Sequence, residues 1–204
     1  MSGTYPSSPE FTSVDFKINT PVQTTETVNG RKRRSGFGVS YYSFAGKYAS
    51  LTPTQAAAVT SFVAKQYGQV ESFQIVLPRI SYNKAADFAQ AVGNAKVKTA
   101  ASKGAASVTL KGLGNNKAIF KAGDFFKFAN HSKVYMVTDD VTSDPSTGEA
   151  TLYFSAKLVA NVVVDEVLTI NAVPFTVILD QDVDEFTVAN GGMTNIEVSF
   201  REVW

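Results

Sequence analysis

The chain contains no cysteine, which rules out disulfide bridges, thiolate metal sites and cysteine nucleophiles. Its only histidine is His131, so a structural zinc site is short of ligands. No stretch approaches the roughly 18 apolar residues that a membrane-spanning helix needs. The opening Met1-Ser2-Gly3-Thr4-Tyr5-Pro6 lacks the basic and then apolar pattern of a secretory signal. These absences describe a soluble protein with no membrane insertion, suited to a reducing cytoplasm. Neither sign of charge dominates: 19 Lys plus Arg against 18 Asp plus Glu leave a formal charge of +1. The basic excess of a general nucleic-acid binder is missing.

What is present favours β structure. Hydrophobic residues make up 44% of the 204 positions, enough for a packed core. Phe (15) and Tyr (8) recur with Val and Thr in short alternating runs, which suit a pleated, half-buried surface. Candidate strands are Val14 to Ile18, Phe37 to Tyr42, Ser72 to Leu77, Ser107 to Lys111, Phe125 to Phe128, Lys133 to Thr138, Ala150 to Phe154, Val162 to Ile170, Pro174 to Leu179 and Ile196 to Phe200. Strands this short and this dense imply a sandwich or a barrel.

One helix is signalled from Pro53 to Tyr67. Thr52 caps it, Pro53 takes the first helical position and Gln55 completes a capping box. Val59, Phe62, Val63 and Tyr67 share a face, and Gly68 stops the helix. A second helical run spans Lys84 to Val92, ended by Gly93. From about residue 84 to 118 the composition shifts to Ala, Lys, Gly and Asn, as at the entrance to a second unit.

Asn29-Gly30 reads as a two-residue hairpin turn, both positions tolerating positive φ. That turn sets Val28 opposite Arg31, Glu26 opposite Arg33 and Thr25 opposite Arg34. Asp144-Pro145-Ser146-Thr147-Gly148 is a second reversal. The first hairpin carries the one basic run, Arg31-Lys32-Arg33-Arg34, and almost no apolar residue on either face. An isolated two-stranded hairpin is marginal in water, so this arm either stays unanchored or pairs with a neighbouring chain.

Catalytic and metal patterns are incomplete. Ser132 adjoins His131, and Asp139 and Asp140 follow, but no nucleophile elbow surrounds any serine. His131 reads as a turn residue between two strands, with a hydrolase as the competing reading. Asp180-Gln181-Asp182-Val183-Asp184-Glu185 resembles the start of a calcium loop. Its sixth and twelfth positions hold Glu185 and Gly191 where Gly and Glu belong, so the pattern fails. Gly112-Leu113-Gly114-Asn115-Asn116 completes no phosphate-binding motif and reads as a turn, as does Gly191-Gly192. No cofactor site and no metal site are expected.

The order of features resembles the distal tail proteins of siphophages, specifically the compact two-domain type with an inserted OB-like domain. The resemblance rests on Phe16-Lys17-Ile18 before the Asn29-Gly30 hairpin, then Phe37-Gly38-Val39-Ser40-Tyr41-Tyr42. It continues through the helix from Pro53, Phe73-Gln74-Ile75-Val76-Leu77-Pro78, and Lys121-Ala122-Gly123-Asp124-Phe125-Phe126-Lys127-Phe128 with His131-Ser132-Lys133-Val134-Tyr135. Ile196-Glu197-Val198-Ser199-Phe200-Arg201-Glu202 looks like the closing strand.

The resemblance implies a mainly β fold. A β-sandwich domain with one packed helix would be built from residues 1–84 and 174–204, with an OB-like β-barrel domain inserted at 85–173. It implies a non-enzymatic virion protein, assembled in the host cytoplasm. A homo-hexameric ring would join the tail tube protein to the tail tip or baseplate hub protein, with DNA only as passing cargo. Glu26, Asn29, Gly30, Arg31, Lys32, Arg33 and Arg34 would form an inter-subunit arm. Because OB-like barrels elsewhere bind sugars and nucleic acids, the alternative is a carbohydrate- or oligonucleotide-binding module, or a weak host glycan contact. The aromatics on offer are Phe120, Phe125, Phe126, Phe128, Tyr135, Tyr153 and Phe154, most of which alternation assigns to the core.

Overall fold

The computed structural model describes residues 2–36, 39–181, 186–188 and 192–204. The first two residues of the expected Phe37 to Tyr42 strand, the Asp182 to Glu185 part of the acidic run and Gly191 lie outside them. Among the described residues the fold is mainly β with a single α-helix, as expected.

The chain begins with β1 (Ser13–Asn19), β2 (Val22–Glu26), β3 (Lys32–Gly36) and β4 (Tyr41–Leu51), followed by α1 (Pro53–Ala64) and β5 (Phe73–Ile75). Then come β6 (Lys96–Val97), β7 (Ser107–Lys111), β8 (Ala118–Phe120), β9 (Phe125–Phe128), β10 (Val134–Val137), β11 (Val141–Thr142), β12 (Ala150–Ser155) and β13 (Leu168–Thr169). The last strands are β14 (Phe175–Leu179), β15 (Phe186–Val188) and β16 (Thr194–Glu202).

The first sheet runs β1-β4-β16-β14-β5, with β15 paired to β16, so both ends of the chain build it. Strand alternation sorts its two faces. Tyr42, Phe44 and Tyr48 of β4 and Ile196, Val198 and Phe200 of β16 point inward. Lys47 lies on the outer face, paired with Asp15 at 2.8 Å across to β1 and with Glu197 at 3.8 Å across to β16. Helix α1 lays Ala56, Val59 and Val63 on the inner face, and its N-terminus has the expected capping box of Thr52 and Gln55. It ends earlier than Tyr67, because Tyr67 and Gly68 both take left-handed φ (53° and 68°), and the Tyr67 ring points into solvent.

The second sheet runs β13-β9-β10-β12-β7-β6. A bridge between Lys96 and Val167, with the Val97 N–H donating to the Glu166 carbonyl at 2.9 Å, closes this sheet on itself as a small OB-like barrel. The connections into and out of this region run side by side. Val173 N–H donates to the Ser81 carbonyl at 2.9 Å, and Asn83 N–H to Asn171 Oδ1 at 3.3 Å.

Two expected elements differ. Lys84 to Val92 is not an α-helix but contains a 3-10 turn at Phe88–Gln90. Its early N–H groups are taken elsewhere: Lys84 by Asp124 Oδ1, Ala85 by Asn83 Oδ1 and Asp87 by the Ala118 carbonyl. The Lys84 and Ala85 N–H groups would be unpaired at a helix start in any case, but Asp87 N–H, which a helix would bond back to Asn83, is taken by Ala118, whose own N–H donates to Asp87 Oδ2 at 3.2 Å. The Val162 to Ile170 strand shrinks to Leu168–Thr169. Asp165 sits at φ 67° and reverses the chain, with its carboxylate 2.7 Å from Lys111 Nζ.

Gly112 shows how tightly the barrel is closed. It holds φ +78°, and a β-carbon there would stand 2.3 Å from the Asn94 carbonyl oxygen. Because that neighbour is backbone, Gly112→Ala is expected to destabilise the protein by about 3 kcal/mol, combining left-handed strain with overpacking. Urea unfolding read by circular dichroism checks this. An unchanged midpoint would show that the turn can move aside.

Candidate assembly surface and its anchorage

Strands β9 and β10 belong to two cores at once. Phe126, Phe128, Tyr135 and Val137 fill the barrel, whereas Phe125 and Val134 enter the core beneath the first sheet. Phe125 meets Phe16, Tyr42 and Phe175 with ring centroids 5.4–5.5 Å apart. A strand buried on both faces has no polar side to alternate with, which explains the unbroken Phe125-Phe126 and Val134-Tyr135-Met136-Val137 runs.

At this junction the Glu202 carboxylate and the Lys133 ammonium form a fully buried ion pair. Glu202 also accepts the Val134 N–H at 2.9 Å from the barrel and the Tyr42 N–H at 3.2 Å from the start of β4. The Lys133 Nζ lies 4.6 Å from the Tyr42 ring centroid and 4.5 Å from that of Trp204, in reach of cation–π attraction. Burial pushes the Lys133 ammonium below its ordinary range and Glu202 above its own, while their mutual attraction and the two N–H donors pull back toward the charged forms. Neither residue stood out as a site candidate in the sequence. A signal exists, since Glu202 continues the buried phase Ile196, Val198, Phe200.

The arm leaves the sheet next to this junction. Strands β2 and β3 form a separate two-stranded ribbon, and all ten strand residues are exposed. Its register differs from the expected one by a residue: Glu26 faces Lys32, Thr25 faces Arg33 and Thr24 faces Arg34. Thr27 N–H donates to the Arg31 carbonyl and Gly30 N–H to the Thr27 carbonyl, with Gly30 at φ 73°. The loop is therefore three residues, Val28-Asn29-Gly30. Only Gly30 takes positive φ, where a two-residue turn would need it at Asn29 too. Val28 stands fully exposed at the tip, and the arm's outer edges have no strand partner among the described residues.

The other candidates scatter. His131 is held by Asn130 and by the Tyr135 hydroxyl, which also accepts the Val159 N–H at 3.1 Å. Burial, then the nearby Lys127 and Lys133, lower its basicity. Asp140 pairs with Lys121, and Thr138 donates to Asp139. His131 thus fastens a loop, and no Ser-His-Asp relay forms around it. Asp180 lies 3.5 Å from Arg201 Nε. Among the described residues, no three metal-type side chains converge, and no helix is long and apolar enough to cross a membrane. Of the seven barrel aromatics, only Tyr153 is exposed (52%). Gly112 to Asn116 turns with Leu113 inserted in the barrel core.

The site is thus an exposed ribbon beside a body with two joined cores. The comparisons point to a particular class. Residues 89–172, less than half of the chain but spanning the barrel strands, match the family model described as Distal tail protein pb9, B domain. No curated protein matches the chain. The match supports a phage distal tail protein, with a structural role in the virion tail.

The junction makes a direct prediction. Lys133→Met or Glu202→Gln alone strands a buried partner and is expected to cost about 3–5 kcal/mol. The double variant is expected to cost clearly less than the sum, as measured by a double-mutant cycle in urea. Strict additivity would show that the two charges do not depend on one another.

Proposed function

We propose that the chain is a ring subunit at the distal end of a long phage tail. It divides into a sheet unit of residues 1–84 and 174–204 and an inserted barrel of residues 85–173. Six copies close a ring between the tail tube protein and the tail tip or baseplate hub protein, leaving a channel for DNA. The ring is assembled in the host cytoplasm and has no enzymatic role.

The observation that carries this reading is the arm. Ten exposed strand residues with no apolar anchor form no stable unit by themselves. Asn29 and Gly30 only reverse the chain, while Glu26 and Arg31 to Arg34 provide charge that orients a partner. Pairing with a neighbouring copy satisfies the open ribbon edges, and a head-to-tail contact repeated around an axis closes a ring. The family match at the barrel supports the same place in the virion.

Glycan binding through the barrel is a weaker reading, because sugar recognition by stacking needs exposed rings and six of the seven candidates are buried. To test the ring, residues 22–36 are replaced by a short Gly-Ser link, and concentrated protein and purified tails are compared by negative-stain electron microscopy. Six-fold rings from the parent and none from the variant, with unchanged thermal unfolding, are expected. Rings that survive the deletion, or rings of another symmetry, would contradict the assignment of the arm.

A further inference from the structure

The register of the arm sorts its charges unequally between two faces. Residues directly opposite in an antiparallel ribbon point to the same side. One face therefore carries Val22, Thr24, Glu26, Lys32 and Arg34, with the sole carboxylate opposite Lys32. The other carries Gln23, Thr25, Arg33 and Ser35, and the Thr27–Arg31 pairing continues it beyond the strands. That second face has two guanidiniums, three hydroxyls and an amide, with no acid and no apolar side chain.

We propose that this Arg31–Arg33 face binds the phosphate backbone of duplex DNA. Protein–protein interfaces draw their affinity from an apolar core, which this face lacks. Its chemistry is instead that of backbone positioning on nucleic acid, where Arg, Thr, Ser and Gln donate to phosphate oxygens. A two-stranded ribbon also fits the width of the major groove. Counting Arg31 to Arg34 against Glu26, the segment 20–36 carries +3 in a chain of net +1, so the remainder is −2. The attraction is thus local to the arm and leaves the rest of the surface without affinity. With two guanidiniums engaged, binding is weak and sequence-independent, with a dissociation constant on the order of 10⁻⁴ M at physiological salt. Such a contact suits a strand that passes rather than one that is held.

The proposal needs only an exposed arm, not a ring, so its failure and that of the ring assignment are separable. The test is fluorescence anisotropy of a short labelled duplex titrated with the full chain, over a series of salt concentrations. Binding is expected with a log–log salt slope of about −2. Arg31→Ala with Arg33→Ala is expected to weaken it about tenfold at low salt and flatten the slope, whereas Lys32→Ala with Arg34→Ala weakens it only about threefold. All four side chains are exposed, so thermal unfolding reports that the fold is intact. No duplex binding, equal losses from the two faces, or tighter binding to polyglutamate than to the duplex would each overturn the proposal.

Discussion

The structure turns on one carboxylate. Glu202 sits out of water where the closing strand of the sheet, the first strand after the arm and the β9–β10 corner of the barrel meet. An isolated buried charge is costly, so its position is tolerable only while all three donors are in place: Lys133 Nζ, Val134 N–H and Tyr42 N–H. Two donors come from adjacent residues at the start of β10, Lys133 and Val134, and the third from the start of β4. Hydrophobic contact alone, as between Phe125 and the sheet aromatics, would allow the barrel to slide. A buried, hydrogen-bonded pair admits one geometry. This is the specificity role proposed for buried ion pairs, whose net contribution to stability is often small.

That arrangement explains how a barrel and a sheet behave as one body while the arm stays free. The barrel shares β9 and β10 with the core beneath the sheet, and its two connections run side by side between Ser81 and Val173. The arm extends from the same corner but contributes nothing to either core. Burial and exposure are divided along the chain: the body carries both cores, and the exposed ribbon carries none of them.

Much of this was legible in the sequence where local physics decides. The strand Ser107–Lys111 follows from alternation, Phe125–Phe128 from its run of aromatics, and the start of α1 from the Thr52–Gln55 capping box. Legibility fails where a distant group competes. The Lys84 to Val92 segment has good helical residues, but Ala118 claims the Asp87 N–H that a helix would bond back to Asn83. Asn29-Gly30 marks a turn, yet two- and three-residue loops both accept that pair, and the choice moves every cross-strand partner by one. Lys133 and Glu202 are 69 positions apart, and each alone reads as an ordinary surface charge. The glycan reading is weakened by the same alternation that was visible in the sequence. Alternation assigns most of the seven aromatics to the core, and six are buried, five in the barrel and Phe125 beneath the sheet.

The place of the chain in a virion is tested most directly by immunogold electron microscopy of particles from a lysate, with antibody against this protein. Label confined to the distal end of a long tail is the predicted result. Label along the tube or on the capsid, or its absence from every tailed particle, would contradict the distal-tail account.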